Sequence, residues 1–200
     1  MIQVQMQQSS ALLKKISLCV FCAEKLPNPP KPVVRFDEHS KIMIIGQAPG
    51  RKVHNLGIPW MDASGKELRR WLNVSEDEFY STENFALVPM GFCFPGTGKS
   101  GDLPPRRECA PLWHAKILEI CSQVKLILAV GNYAQRYYLP GMKDLTLTER
   151  VRRFRECKDG ILPLVHPSPR NKIWHKKNPW FETELLPELR KSVADILQKT

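Results

Sequence analysis

The sequence predicts an α/β domain of three layers, in which helices cover both faces of a central, four-stranded, mostly parallel sheet. The chain has 200 residues, 42% of them hydrophobic and 25% charged, which is typical of one globular domain. Four short runs are almost wholly apolar, as strands covered on both faces are. Segments with a helical spacing of apolar residues lie between these runs, and this alternation favours parallel strands joined by helical crossovers.

The first expected element is a helix over residues 9–26, where apolar residues recur at helical spacing: Leu12, Leu13, Ile16 and Val20. Four prolines then end it and favour an extended link: Pro27, Pro29, Pro30 and Pro32. Because residues 1–32 are too short to enclose a core, they are interpreted as an N-terminal helix and linker. The chain is therefore predicted to be one domain, residues 1–200.

The remaining elements alternate along the chain. The apolar runs predict strands over residues 41–46, 85–92, 125–131 and 161–166. Apolar residues at helical spacing predict helices over residues 64–73, 108–122, 145–155 and 180–198.

Unusual residues follow each predicted strand. The strands lead into Gly46-Gln-Ala-Pro-Gly50, Cys93, Gly131-Asn132 and His166-Pro-Ser-Pro-Arg-Asn171. Because the carboxyl ends of parallel strands share one edge of a sheet, we expect these four segments to line one cleft.

Two of these segments are suited to hold a ligand. Glycines allow the backbone of the first turn to approach a ligand closely. In the last loop, prolines 167 and 169 push His166 and Ser168 into extended conformations. The cleft edge would then present an imidazole and a hydroxyl group.

The charge favours a polyanionic partner. The net charge is +10 and the pI about 9.4, which indicates nucleic acid or another polyanion. Nine basic residues fall in one stretch, which forms either a binding face or a solvated one: Arg150, Arg152, Arg153, Arg155, Lys158, Arg170, Lys172, Lys176 and Lys177.

Other functional classes are disfavoured. No apolar run reaches the ~18 residues of a membrane helix, and the N-terminus lacks a secretory pattern. We therefore expect a cytoplasmic monomer with no membrane partner. The segment Gly98-Lys99-Ser100 lacks the glycine five residues earlier that a phosphate-binding loop needs, since residue 93 is Cys.

Taken together, Gly46-Gln-Ala-Pro-Gly50 and His166-Pro-Ser-Pro169 resemble motifs of the uracil-DNA glycosylase superfamily. The closest branch is the iron–sulfur, family 4 type, whose motifs read Gly-Glu-Ala/Gly-Pro-Gly and His-Pro-Ser/Ala. The segment Gly57-Ile-Pro-Trp60 is similar to the family's Gly-Arg-Pro-Phe. The resemblance spans about residues 17–170.

The resemblance implies a DNA glycosylase that hydrolyses the N-glycosidic bond of uracil or a related deaminated base in DNA, as in base-excision repair. His166 would donate to the departing base and Trp60 would stack on it. The turn residues Gly46, Gln47 and Ala48 would supply backbone contacts and position the water. Ser168 and Arg170 would grip phosphate, and Ile173 or Trp174 would wedge into the base stack.

The cysteines extend the resemblance. Six cysteines in a cytosolic chain favour metal ligation over disulfides. Four have the order and spacing of the family's cluster ligands: Cys19, Cys22, Cys93 and Cys109. They are expected to hold a [4Fe–4S] cluster, with zinc as the less favoured alternative. Cys121 and Cys157 are interpreted as free thiols.

Two positions depart from the family pattern. Gln47 stands where the family has Glu, and Pro89 where it has a base-reading Asn. His54 is a candidate to orient water instead. Asp62 either shares that role or caps the helix that begins near Ala63.

These departures leave alternatives open. One is a catalytically weak or inactive member of the fold that binds nucleic acid. Another is a different enzyme, or an iron–sulfur structural protein, that uses its basic face for another polyanion.

Overall fold

The computed structural model describes residues 2–99 and 101–198. In chain order the elements are α1 (Ile2–Ser17), β1 (Ile42–Ile45), α2 (Arg51–Leu56), α3 (Ala63–Leu72), α4 (Glu76–Tyr80), β2 (Phe85–Leu87), β3 (Thr97–Gly98), β4 (Gly101–Asp102), α5 (Cys109–Ile120), β5 (Leu126–Val130), α6 (Asn132–Tyr138), α7 (Leu147–Arg152), β6 (Ile161–Leu164), α8 (Lys172–Lys177) and α9 (Leu186–Gln198). Short 3-10 turns lie between several of them, and a π-helical turn, Phe181–Leu185, precedes α9.

The central sheet has the strand order β2-β1-β5-β6, and every pair in it is parallel. Each strand lies within one of the four apolar runs, so the predicted α/β class and four-stranded sheet are confirmed. The β2 strand ends at Leu87 and is much shorter than its run. Beyond it, the amides of Val88 and Met90 still donate to the carbonyl oxygens of Ile44 and Gly46, so the chain follows β1 into the turn without regular strand pairing. Parallel pairing brings all four carboxyl ends to one edge, as predicted.

Two cores lie on opposite faces of the sheet because successive strand residues point to opposite sides. Ile42 and Ile44 face a core that includes residues of α3, α7 and α9. Met43 and Ile45 face a second core built with residues of α1, α5 and α6. This arrangement is the expected three-layer architecture.

The predicted N-terminal helix is wrong at its C-terminal end. Helix α1 ends at Ser17 rather than at residue 26. The Ser17 hydroxyl donates to the Lys14 carbonyl oxygen at 2.8 Å, a local side-chain bond that competes with continuation of the helix. Turns and a 3-10 segment, Ala23–Lys25, follow, so Cys19 and Cys22 lie on a loop.

A small antiparallel hairpin, β3–β4, stands beside the main sheet. Gly98, from the segment that superficially resembles a phosphate-binding loop, belongs to strand β3 of this hairpin. Gly96 and Gly101 have φ angles of +105° and +138°, which glycine adopts without strain. The amide of Leu103 donates to the Gly96 carbonyl oxygen at 2.8 Å and closes the base of the hairpin.

Among the helices that the structure describes, none combines the length and the apolar character needed to span a membrane.

Candidate functional site

A cleft of about 590 Å³ opens at the carboxyl edge of the sheet. Four segments distant in sequence line it. They are the turn after β1 (46–50), the segment that leads into α3 (59–64), the strands of the β3–β4 hairpin (Thr97, Gly101 and Asp102) and the loop after β6 (166–170). The sequence predicted the turn and the last loop as contributors, and the family resemblance added Trp60 of the segment before α3. The hairpin was not predicted, and residues 93–96, which were expected at the cleft, do not line it.

His166 lies two residues beyond β6 and lines the cleft. Its carbonyl oxygen accepts from the Ser168 amide at 2.7 Å and from the Asn171 side chain at 2.7 Å, which fixes the loop. Burial lowers the pKa of the His166 imidazole, and the charges of Asp62 and Asp102 oppose this effect. The ring is therefore neutral at physiological pH and keeps one N–H to donate.

Trp60 packs beside His166, with ring centroids 5.8 Å apart and 30° between the planes. Its φ angle is +59°, which is rare for a bulky residue. Tyr80 donates its hydroxyl to the Pro59 carbonyl oxygen at 2.9 Å and helps to hold this segment. Two glycines make room for Trp60, because a Cβ on Gly46 would lie 2.7 Å from its ring and a Cβ on Gly65 only 1.7 Å from its carbonyl oxygen.

The turn after β1 is held by its backbone and by one side chain. The carbonyl oxygens of Gly46 and Gln47 accept from the amides of Met90 and Gly91 at 2.8 and 3.0 Å. The Gln47 side-chain nitrogen donates to the Leu103 carbonyl oxygen at 3.1 Å. Gln47 thus ties the turn to the hairpin, while Ala48 lines the cleft.

Ser168 and Arg170 lie at the cleft mouth. The Ser168 hydroxyl oxygen accepts from the Arg170 amide at 3.3 Å. The Arg170 guanidinium reaches the hairpin, where it would stand 3.2 Å from a Cβ on Gly101. An exposed cation and a hydroxyl at the mouth are suited to bind phosphate.

His54 lies apart from the predicted site residues that line the cleft. Val53 of α2 is a lining residue, but the His54 ring packs against Phe94 with centroids 5.7 Å apart. Adjacent residues of a helix point about 100° apart, and His54 is not among the residues that line the cleft. Burial, followed by the charge of Lys31, lowers the pKa of His54.

Asp62 caps α3, since its Oδ1 accepts from the Gly65 amide at 2.8 Å. Of the two roles considered for Asp62, the structure supports the cap.

Pro89 lines the cleft, but its carbonyl oxygen is 3.0 Å from Nε2 of the buried His114. Asp102, at the end of the hairpin, also lines the cleft. No motif marked Asp102 as a site residue.

Gly131 and Asn132 serve the scaffold rather than the cleft. The Asn132 side-chain oxygen accepts from Arg150 at 2.5 Å. Arg150 is buried and also donates to Gln135 and to the Leu145 carbonyl oxygen. Gln135 in turn donates to the Leu164 carbonyl oxygen at 2.8 Å, which braces the strand that ends near His166.

The basic stretch 150–177 does not form one surface. Arg150 is buried, and Arg152, Arg153 and Arg155 form ion pairs with glutamates. The basic residues of α8 and its approach form no ion pair with any residue that the structure describes: Arg170, Lys172, Lys176 and Lys177. Of these four cations, Arg170 lines the cleft mouth, and the three lysines follow it within seven residues along the chain.

The two residues considered as wedges into the base stack both lie on helix α8, but their environments differ. Ile173 is 70% exposed among the lysines. Trp174 packs against Trp180 and Phe181 and donates its ring N–H to Thr148 at 2.8 Å. Trp174 is therefore part of the packed fold, whereas the Ile173 side chain is exposed to solvent.

A second, smaller cavity is lined by the four predicted ligand cysteines, which come from the loop after α1, the segment after β2 and the start of α5. Its other walls are mainly apolar and include Leu26, Phe92 and Trp113. The Phe92 amide donates to Cys109 Sγ at 3.4 Å. Burial raises the pKa of Cys93 to about 11 and that of Cys109 to about 12.

The spacing of these sulfurs bears on what they could hold. Tetrahedral zinc with Zn–S bonds near 2.3 Å brings its sulfurs to about 3.8 Å from one another. Among the residues that the structure describes, no three of the four cysteine sulfurs lie within 4.8 Å of one another. Cys121 and Cys157 lie outside this cavity, and their Sγ atoms contact the carbonyl oxygens of Asp37 and Arg153.

The family model described as the uracil DNA glycosylase superfamily matches residues 33–190. The matched range includes the central sheet, the cleft segments and two of the four cavity cysteines.

Proposed function

Because this chain belongs to the uracil-DNA glycosylase superfamily, we propose that it hydrolyses the N-glycosidic bond of uracil or a related deaminated base in DNA. The observation that carries this proposal is the convergence of His166, Trp60 and the Gly46–Gly50 turn in one cleft. Such an enzyme must flip the nucleotide out of the stack and hold its base in a pocket. The cleft offers an aromatic ring, a neutral imidazole and glycine-rich backbone for this task.

His166 would stabilise the leaving group. As the C1′–N bond breaks, negative charge develops on the base and positive charge on the sugar. A neutral imidazole N–H at the base oxygen stabilises that anion without a proton transfer, and one such donor is worth ~3 kcal/mol. Trp60, held next to His166, would stack on the base, and the turn at Gln47 and Ala48 would contact the sugar and water.

DNA would approach across the mouth of the cleft. Ser168 and Arg170 would bind phosphates next to the flipped nucleotide, and the lysines of α8 would extend that contact along the backbone. Ile173 would fill the gap that the flipped base leaves.

We further propose that Cys19, Cys22, Cys93 and Cys109 hold a [4Fe–4S] cluster. Four thiols around one mainly apolar cavity suit such a cluster, and their spacing is wider than zinc requires. When bound, the cluster would act as a cross-link between the loop after α1 and the core of the domain. It lies in its own cavity, so no reacting group of the cleft depends on it directly.

A second candidate is a nucleic-acid-binding member of the fold with little or no activity. Two observations favour it. The Gln47 side-chain nitrogen donates to the Leu103 carbonyl oxygen, and the Pro89 carbonyl oxygen is hydrogen-bonded to His114 Nε2. Neither group replaces the carboxylate or the base-reading amide that the family has at these places.

Single-turnover excision with the purified holoprotein separates the two candidates. The substrates are single- and double-stranded oligonucleotides that contain uracil, hypoxanthine or xanthine. The proposed enzyme releases at least one of these bases, and His166→Ala slows that release about 100-fold with little change in DNA affinity. The control His39→Ala lies outside the cleft and keeps the wild-type rate. Binding without release of any base favours the second candidate.

A further inference from the structure

We propose that Asp102 supplies the carboxylate of this active site, orienting the attacking water and accepting its proton. The inference rests on the proposed glycosylase function. It gives a role to the β3–β4 hairpin, which contains none of the motifs that resemble the family. It also explains how the cleft could work with Gln47 and Ala48 in the turn.

The hairpin carries Asp102 to the turn after β1. A Cβ built on Gly50 would lie 3.1 Å from Asp102 Oδ2, so the carboxylate stands directly over the turn backbone. The bond from Gln47 to the Leu103 carbonyl oxygen holds the next residue of the hairpin. Gln47 is thus a positioning residue, because its amide can donate to a carbonyl oxygen where a glutamate would repel it.

Of the two acidic residues that line the cleft, Asp102 is the one whose carboxylate is not engaged by a helix cap. Asp62, the other acidic lining residue, is committed to the α3 cap. No residue that the structure describes forms a hydrogen bond or ion pair with the Asp102 carboxylate. Asp102 and His166, the group proposed to hold the departing base, line the same cleft. The charge of Asp102 acts in the direction that raises the pKa of the His166 imidazole.

In the proposed hydrolysis of the C1′–N bond, Asp102 acts on the side of the sugar, where the water attacks. When the C1′–N bond breaks, its electron pair leaves with the base, and His166 donates to the resulting anion. The water oxygen bonds to C1′ while one water proton passes to Asp102 and then to solvent, which also supplies the proton of the free base. The negative charge of Asp102 additionally stabilises the positive charge on the sugar.

The test compares single-turnover excision and DNA affinity in Asp102→Asn, Asp102→Glu and His166→Ala. Asp102→Asn has the same shape as the native side chain and should slow excision about 100-fold, with DNA affinity unchanged or increased. Asp102→Glu should recover at least about tenfold of that loss, since it restores the charge. Asp195→Asn removes one negative charge from the exposed face of α9, outside the cleft, and should keep the wild-type rate.

Each outcome bears on a different claim. A wild-type rate in Asp102→Asn together with a slow His166→Ala overturns the role of Asp102 and leaves the glycosylase proposal intact. Tighter DNA binding by Asp102→Asn at an unchanged rate also overturns it, because Asp102 would then only repel phosphate. Failure of Asp102→Glu to recover any rate argues against a requirement for the charge. A wild-type protein that releases no base overturns both proposals.

Discussion

The substitution Gly65→Ala probes the packing that holds Trp60 in the cleft. Gly65 lies in the first turn of α3, and its amide donates to the Asp62 cap. A Cβ at this position would lie 1.7 Å from the Trp60 carbonyl oxygen and 2.6 Å from the carbonyl carbon. Both atoms belong to the backbone, so a side-chain rotation cannot relieve the clash. The Trp60 segment or the start of α3 has to move.

The expected cost follows from two opposing effects. Alanine stabilises a helix by ~1 kcal/mol relative to glycine, whereas overpacking against rigid neighbours typically costs 1–3 kcal/mol and sometimes more. A clash this severe belongs at the upper end, so we expect a net loss of about 2 kcal/mol or more. At roughly 2–4 °C per kcal/mol for a domain of this size, Tm falls by roughly 4–8 °C.

Thermal unfolding followed by circular dichroism measures this loss, and Gly141→Ala is the matched control. A Cβ on Gly141 meets no atom within 4 Å, so that variant should unfold within about 0.5 kcal/mol of the wild type. Because Trp60 packs against His166, Gly65→Ala should also slow base release. A Gly65→Ala protein with the Tm of the wild type would refute the packing argument.

Three further predictions concern the cysteine cavity, the basic helix and one buried histidine. Serine at any of the four cavity cysteines should abolish iron binding measured by metal analysis, whereas Cys157→Ser should retain it; stoichiometric zinc in the native protein would contradict the cluster. The double change Lys176→Ala, Lys177→Ala should reduce the salt dependence of DNA binding by about one unit of slope per lost phosphate contact, while Arg155→Ala, which removes a cation paired with Glu188, should not. Burial lowers the pKa of His114 to about 4, so the unfolded chain binds the extra proton first as the pH falls. Stability should therefore drop by roughly 3 kcal/mol between pH 6.5 and 4, and denaturant unfolding of His114→Gln should show a smaller drop.

The sequence alone determined the layer architecture and part of the site. Apolar runs mark strands buried on both faces, and the four strands of the central sheet lie inside them. Proline and glycine act on the local backbone, which is why the turn at Gly46 and the loop at His166 could be recognised without a structure. The Asp62 cap could also be predicted, because it joins residues only three positions apart, and the structure contains it.

The tertiary structure decided where side chains point and which distant loops meet. His54 follows a residue that lines the cleft but points towards Phe94. Arg152 and Arg155 pair with glutamates of the C-terminal segment and Arg150 is buried, so the basic run in the sequence does not become one surface. Asp102 lies at the cleft in a hairpin that Gln47 ties to the turn after β1 through the Leu103 carbonyl oxygen, 56 residues away in sequence. Such contacts depend on the packing of the whole chain, and neither periodicity nor motif spacing encodes them locally.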